Sequence, residues 1–116
     1  MQNHRDLRVW RDGIDLVKQV YEITRQFPEE ERFGLIAQMR RAAVSIPSNI
    51  AEGAARNSRA DFARLVAIAR GSVAELETQS IIAVQLGYIR EDDPLRPVLE
   101  GLFASLNKLH RRLVEP

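Results

Sequence analysis

The sequence predicts an all-α fold, an antiparallel up-down four-helix bundle, on three observations. Apolar residues recur at three- and four-residue spacing through four long segments. The breaks between them are short, and the first and third carry proline, glycine or clustered acids. No segment keeps the two-residue alternation of a strand. A chain of 116 residues, 45% hydrophobic and 28% charged, fits one domain with an ample core.

The first helix is expected over residues 7–27, where Val9, Gly13, Leu16, Val20, Ile23 and Phe27 share a face and Arg8, Arg11, Asp15, Lys18, Glu22 and Arg25 take the other. Pro28 closes it, and Glu29-Glu30-Glu31 suits the positive N-terminus of a following helix. The second helix, residues 33–55, carries Leu35, Met39, Ala42, Ile46 and Ile50 as its core stripe. Only Arg40, Arg41 and Glu52 are charged between its ends, so Val44, Ala51 and Ala55 would lie exposed on a monomer. Pro47 cannot donate to the Ala43 carbonyl, so a kink is expected near it, with Ser45, Ser48 or Asn49 available to the freed backbone.

Ser58 and Asp61 open the third helix, residues 59–86, as a capping box with the shorter acid. Phe62, Leu65, Val66, Ala69, Val73, Leu76, Ala83 and Leu86 form its apolar face, and Ala63, Ala67, Gly71 and Ala74 a second line of small residues that another helix can approach. Gly87 reads as a left-handed cap with Tyr88 folding back on the last turn. The fourth helix, residues 94–113, starts after Glu91-Asp92-Asp93 and runs Leu95, Leu99, Leu102, Leu106, Leu109 and Leu113 in a heptad seam.

Composition excludes several function classes. The absence of cysteine removes disulfides and thiolate metal ligands and fits a reducing cytoplasm. The polar start, Met1-Gln2-Asn3-His4-Arg5-Asp6, lacks the apolar core of a signal peptide, and no apolar run is long enough to span a membrane. His4 and His110 lie near opposite termini, Glu75 and Glu77 are two apart and so off one helical face, and Gly53 and Gly71 are isolated. No catalytic, cofactor-binding or metal site is therefore expected, and no cofactor.

Arginine is the notable residue: 15 of the 17 basic side chains, at a net charge of only +1. Its planar fork suits phosphate and carboxylate. Arg40, Arg41, Arg56, Arg59, Arg64 and Arg70 face only Glu52 and Asp61 over residues 40–70, which makes them candidates for binding RNA or DNA. In the same region Arg41, Ser45, Ser48 and Glu52 fall on one helical line, with Asn49 and Arg56 beside it. With Pro47 and Gly53, these side chains read as a hydrogen-bonded seam, structural or between subunits, with a ligand groove as the alternative.

The strings Gln38-Met39-Arg40-Arg41-Ala42-Ala43, Ser45-Ile46-Pro47-Ser48-Asn49-Ile50-Ala51-Glu52-Gly53, Glu75-Leu76-Glu77 and Leu86-Gly87-Tyr88, together with Val9-Trp10, Phe33-Gly34-Leu35 and Gly71-Ser72, resemble the 23S rRNA intervening-sequence family. The resemblance is close over residues 6–90 and holds for helix 4 by pattern alone. It implies an antiparallel four-helix bundle assembled into a ring, usually a homopentamer, with no catalytic residues. The accessory proteins of diversity-generating retroelements are similar, which implies partnership with a reverse transcriptase and its RNA. Two readings follow: an oligomeric nucleic-acid-binding or adaptor protein, and a protein-interaction scaffold in which the arginines meet neighbouring subunits or a partner protein.

Overall fold

The computed structural model describes residues 3–116, with the side chain of Asp6 excepted. Four helices carry the fold: α1 (Arg8–Thr24), α2 (Leu35–Ala55), α3 (Arg59–Gln85) and α4 (Leu95–Val114). Short 3-10 turns at His4–Asp6 and Glu29–Glu31 precede α1 and α2, and no strand occurs among the described residues. All four expected helices form.

Their ends differ from expectation in two places. Helix α1 stops at Thr24, and Phe27 buries itself beyond the helix. The three glutamates make their own 3-10 turn instead of opening α2. From that turn the Glu31 Oε1 accepts the backbone N–H of Leu35 at 3.1 Å, capping α2 from outside. The α3 caps follow the sequence more closely. Ser58 Oγ accepts the N–H of Asp61 at 3.0 Å. Gly87 takes φ +80, so that Tyr88 N–H reaches Ala83 O and Gly87 N–H reaches Val84 O, the paired bonds of a Schellman motif.

Helix α2 continues from Leu35 to Ala55 through Pro47, which is buried. Side chains near the proline bond carbonyls of the same turns: Ser45 Oγ donates to Ala42 O and Asn49 Nδ2 to Ser45 O, both at 2.7 Å.

Contacts fix how the helices run. Gly13 of α1 lies against Pro47 of α2, whereas Thr24 bonds Arg40, so these two helices point in opposite directions. Between α2 and α3, Gly53 faces Phe62 and Ser45 bonds Ser72. Between α3 and α4, Arg59 reaches the Arg112 carbonyl and Arg70 the Asn107 side chain. Helices α2 and α3 share the broadest contact, α1 meets α4 narrowly, and the backbones of the diagonal pairs stay apart among the described residues.

The core runs the length of this rod, which measures 46 × 22 × 19 Å. Leu16, Val20, Met39, Ile46, Ile50, Val66, Val73, Leu76, Leu95, Leu99 and Leu106 are closed to solvent. Each such large side chain contributes about 1.5–3 kcal/mol by leaving water. The leucine seam of α4 is buried from Leu95 to Leu109, with Leu113 half-buried at its end. Of the small-residue line on α3, only Ala63 is buried, while Gly71 and Ala74 stand open.

Candidate nucleic-acid interface

The six arginines singled out by sequence do not gather into one patch. Arg40 is half-buried between α1 and α2: its Nε donates to Thr24 Oγ1 at 2.9 Å, and its guanidinium lies 4.4 Å from the centre of the Tyr21 ring. Arg70, also half-buried, donates to Asn107 Oδ1 at 2.9 Å. Both side chains tie helices together. Arg56 pairs with Glu52 at 3.3 Å on the surface, and Arg59 donates to the backbone carbonyl of Arg112. Arg41 and Arg64 are exposed and have no bonded partner among the described residues.

The seam residues split in a similar way. Ser45 links α2 to α3 through Ser72 at 2.7 Å, and Asn49 holds the Ser45 carbonyl. Pro47 and Gly53 are close-packing positions, against Gly13 and against Phe62 with Leu65 respectively. Ser48 and Glu52 are exposed. Within one chain, therefore, the motif is largely internal structure.

A different basic surface emerges from the helix order. Because neighbouring helices run in opposite directions, the start of α1, the α2–α3 connection and the end of α4 meet at one end of the rod. Arg5, Arg8, Arg11, Arg56, Arg59, Arg64, Lys108, Arg111 and Arg112 all belong to that end. Against them stand Asp6, Asp12, Glu52, Asp61 and Glu115, and Asp12 and Glu52 are already held by Arg8 at 3.8 Å and Arg56 at 3.3 Å. A shallow cleft there is lined by Ala54, Arg56, Asn57, Ser58, Arg59, Phe62 and Leu113. Six members of this surface lie near the termini in sequence, far from residues 40–70. Only the antiparallel order brings them beside Arg56 and Arg59.

The opposite end is acidic. The Tyr88 hydroxyl donates to Glu31 Oε2 at 3.1 Å, and the Tyr88 ring packs 5.2 Å from that of Phe27. This joins the Glu29–Glu31 turn to the α3–α4 connection with its Glu91, Asp92 and Asp93. Burial raises the Tyr88 phenol pKa first, and the hydrogen bond and charge of Glu31, with the charge of Glu30, push it further in the same direction.

Grooves flank the rod between its ends, among them one of about 520 Å³ between α1 and α4, lined in part by Asp15, Gln19, Val98 and Gly101. Another, about 690 Å³, is bounded by Tyr21 of α1 and by Arg32, Phe33, Ile36, Ala37, Arg40, Arg41, Val44 and Ser45. A third, about 340 Å³, lies between α3 and α4 and is lined by Val73, Ala74, Glu77, Leu99, Glu100 and Phe103. Among the described residues, no group of three or more His, Cys, Asp or Glu side chains is placed to hold a metal, and no helix is long and apolar enough to cross a membrane.

A comparison with curated proteins finds no match. Among solved structures, the chain is similar to a protein of unknown function from the S23 ribosomal protein family of Bacteroides thetaiotaomicron, at 23% identity and a TM-score of 0.63, covering 91% of this chain and 94% of that one. That likeness concerns the fold. The model of the 23S rRNA-intervening sequence protein family matches residues 5–110, nearly the whole chain, and the protein belongs to that family.

Proposed function

We propose that the protein is a non-enzymatic, cytoplasmic, homo-oligomeric helical bundle that binds the phosphate backbone of a nucleic acid through its basic end. The observation that carries this reading is the meeting of the start of α1, the α2–α3 connection and the end of α4 in one arginine-rich surface. Arginine forks suit phosphate oxygens, and each contact is weak alone. A ring of copies, a homopentamer as the resemblance implies, multiplies them. No base-reading element accompanies the surface, so the expected binding is strongly salt-dependent and tolerant of sequence.

The test is retention of a labelled single-stranded RNA at low salt. Charge reversal at Arg56, Arg111 and Arg112 is expected to abolish it, and reversal at Arg90 and Arg96, on the acidic half, to leave it intact. No retention, or equal loss from both sets, overturns the reading.

One observation favours a second reading, a protein-interaction scaffold without nucleic-acid binding. Phe33 is 87% exposed at the mouth of the α1–α2 groove, an unusual position for an aromatic ring on a lone chain. Recovery of a single protein partner that survives nuclease treatment would support it.

A further inference from the structure

Two lateral grooves on opposite sides of the rod are complementary in charge, and their charged residues sit at one height. One is bounded by α1 and α2, the other by α3 and α4, and α1 neighbours α4 as α2 neighbours α3. Their heights follow from two cross-helix bonds. Ser45 meets Ser72 at 2.7 Å, and Arg41 lies four residues before the one while Glu77 lies five after the other, about 6 and 7.5 Å in the same axial direction. Arg70 meets Asn107, and Glu77 and Glu100 are each seven residues from that tie, again in the same axial direction. Arg41, Glu77 and Glu100 thus share one level.

Each groove pairs apolar bedding with unspent charge. Phe33 and Val44 are 87% and 41% exposed beside Arg41, which has no ion-pair partner among the described residues. Across the rod, Phe103 is 36% exposed and Ala74 is open beside Glu77 and Glu100, which are likewise unpaired among the described residues. Matching like faces would set arginine against arginine or glutamate against glutamate, which penalises that arrangement. Matching unlike faces pairs the charges and covers Val44 and Phe103.

We propose that the α1–α2 groove of one copy receives the α3–α4 edge of a second copy, with Arg41 facing Glu77 and Glu100 and with Val44 facing Ala74 and Phe103. This inference rests on the self-association proposed above and specifies its surfaces. The contact is heterologous, the kind that closes into a ring when the rotation between copies permits. Because both faces lie at one height, the copies run parallel, and their basic ends gather on one rim.

The chain has no cysteine of its own, so paired single substitutions test the contact cleanly. Val44→Cys and Ala74→Cys lie on exposed positions of the two grooves, within about 1.5 Å of one height in the proposed register, and leave the core untouched. Under mild oxidation, a mixture of the two variants is expected to give a covalent dimer, and either variant alone none. Arg41→Glu is expected to lower the mass seen by light scattering, and adding the Glu77→Arg/Glu100→Arg double reversal to the same chain to restore it. Helix content by circular dichroism reports whether each variant folds. If the wild-type chain scatters as an oligomer, but the mixture gives no cross-link and Arg41→Glu keeps the full mass, the proposed contact is wrong while self-association stands. Self-linking of Val44→Cys also overturns it, because that demands like faces. A wild-type chain that stays monomeric at micromolar concentration defeats the oligomer reading itself.

Discussion

A Cβ placed on Gly13 would stand 3.3 Å from both the Cβ and the Cδ of Pro47. Helices α1 and α2 therefore meet where one residue has no side chain and the other has a ring that cannot rotate away. Gly13→Val is expected to lower stability by about 1–3 kcal/mol in urea unfolding, through the separation it forces between the helices.

The other helical glycines extend this test to opposite signs. At Gly53 a Cβ would fall 2.8 Å from Phe62 Cδ1 and 3.2 Å from Leu65 Cβ, so Gly53→Ala is expected to cost about 1–3 kcal/mol. At Gly71 nothing lies within 4 Å, and Gly71→Ala should gain about 0.5–1 kcal/mol by removing backbone freedom from the unfolded chain. Equal responses at the two positions would contradict the packing described.

Arg40 is a structural arginine. Replacing it with Met removes the bond to Thr24 and the approach to the Tyr21 ring, an expected loss of about 1–2 kcal/mol. Arg40→Lys keeps the charge but not the Nε–H geometry and should recover only part of it. Arg64→Ala, at an exposed site with no bonded partner among the described residues, is expected to stay within about 0.5 kcal/mol of wild type.

Gln79 is 5% exposed, and its Oε1 has no hydrogen-bond partner among the described residues. A buried unpaired acceptor costs about 1–3 kcal/mol. Gln79→Met fills nearly the same volume without that oxygen and should raise the unfolding midpoint. A lower midpoint would mean that the unpaired oxygen is not a net cost to the fold.

Tyr88 gives the fold an alkaline limit. Its folded pKa lies above the ordinary phenol value of about 10, so the neutral phenol is the form the fold prefers. The associated stability is present up to the ordinary value and fades as pH rises through the raised one. Ultraviolet titration is expected to show one of the two tyrosines ionising late, and Glu31→Gln should bring that transition down. A transition unchanged in Glu31→Gln would remove Glu31 as a cause.

The helices were legible because their signals are local. The leucine seam of α4, the Ser58 cap and Gly87 each act within a few residues, and each appears as the sequence predicts. The Glu29–Glu31 turn was misread because acids favour a helix start without fixing which residue begins it. Glu31 instead caps from outside the helix while also accepting from Tyr88, a residue 57 positions away. Arginine placement was the least legible. Arg40 and Arg70 look like free surface charge in sequence, yet their partners, Thr24 and Asn107, lie on other helices. The basic end draws on both ends of the chain, and nothing between Arg11 and Lys108 in sequence announces that they are neighbours.

The separation of charge along the 46 Å axis has a consequence for encounters in solution. At physiological ionic strength a charge is felt over about 8 Å, far less than the length of the rod. An approaching polyanion therefore responds to the nearest end and not to the net charge of +1. Within that range the basic end attracts a polyanion and the acidic end repels one, so encounters at the basic end outlast those at the other. For the nucleic-acid binding proposed above, added salt should then slow association by more than so small a net charge suggests.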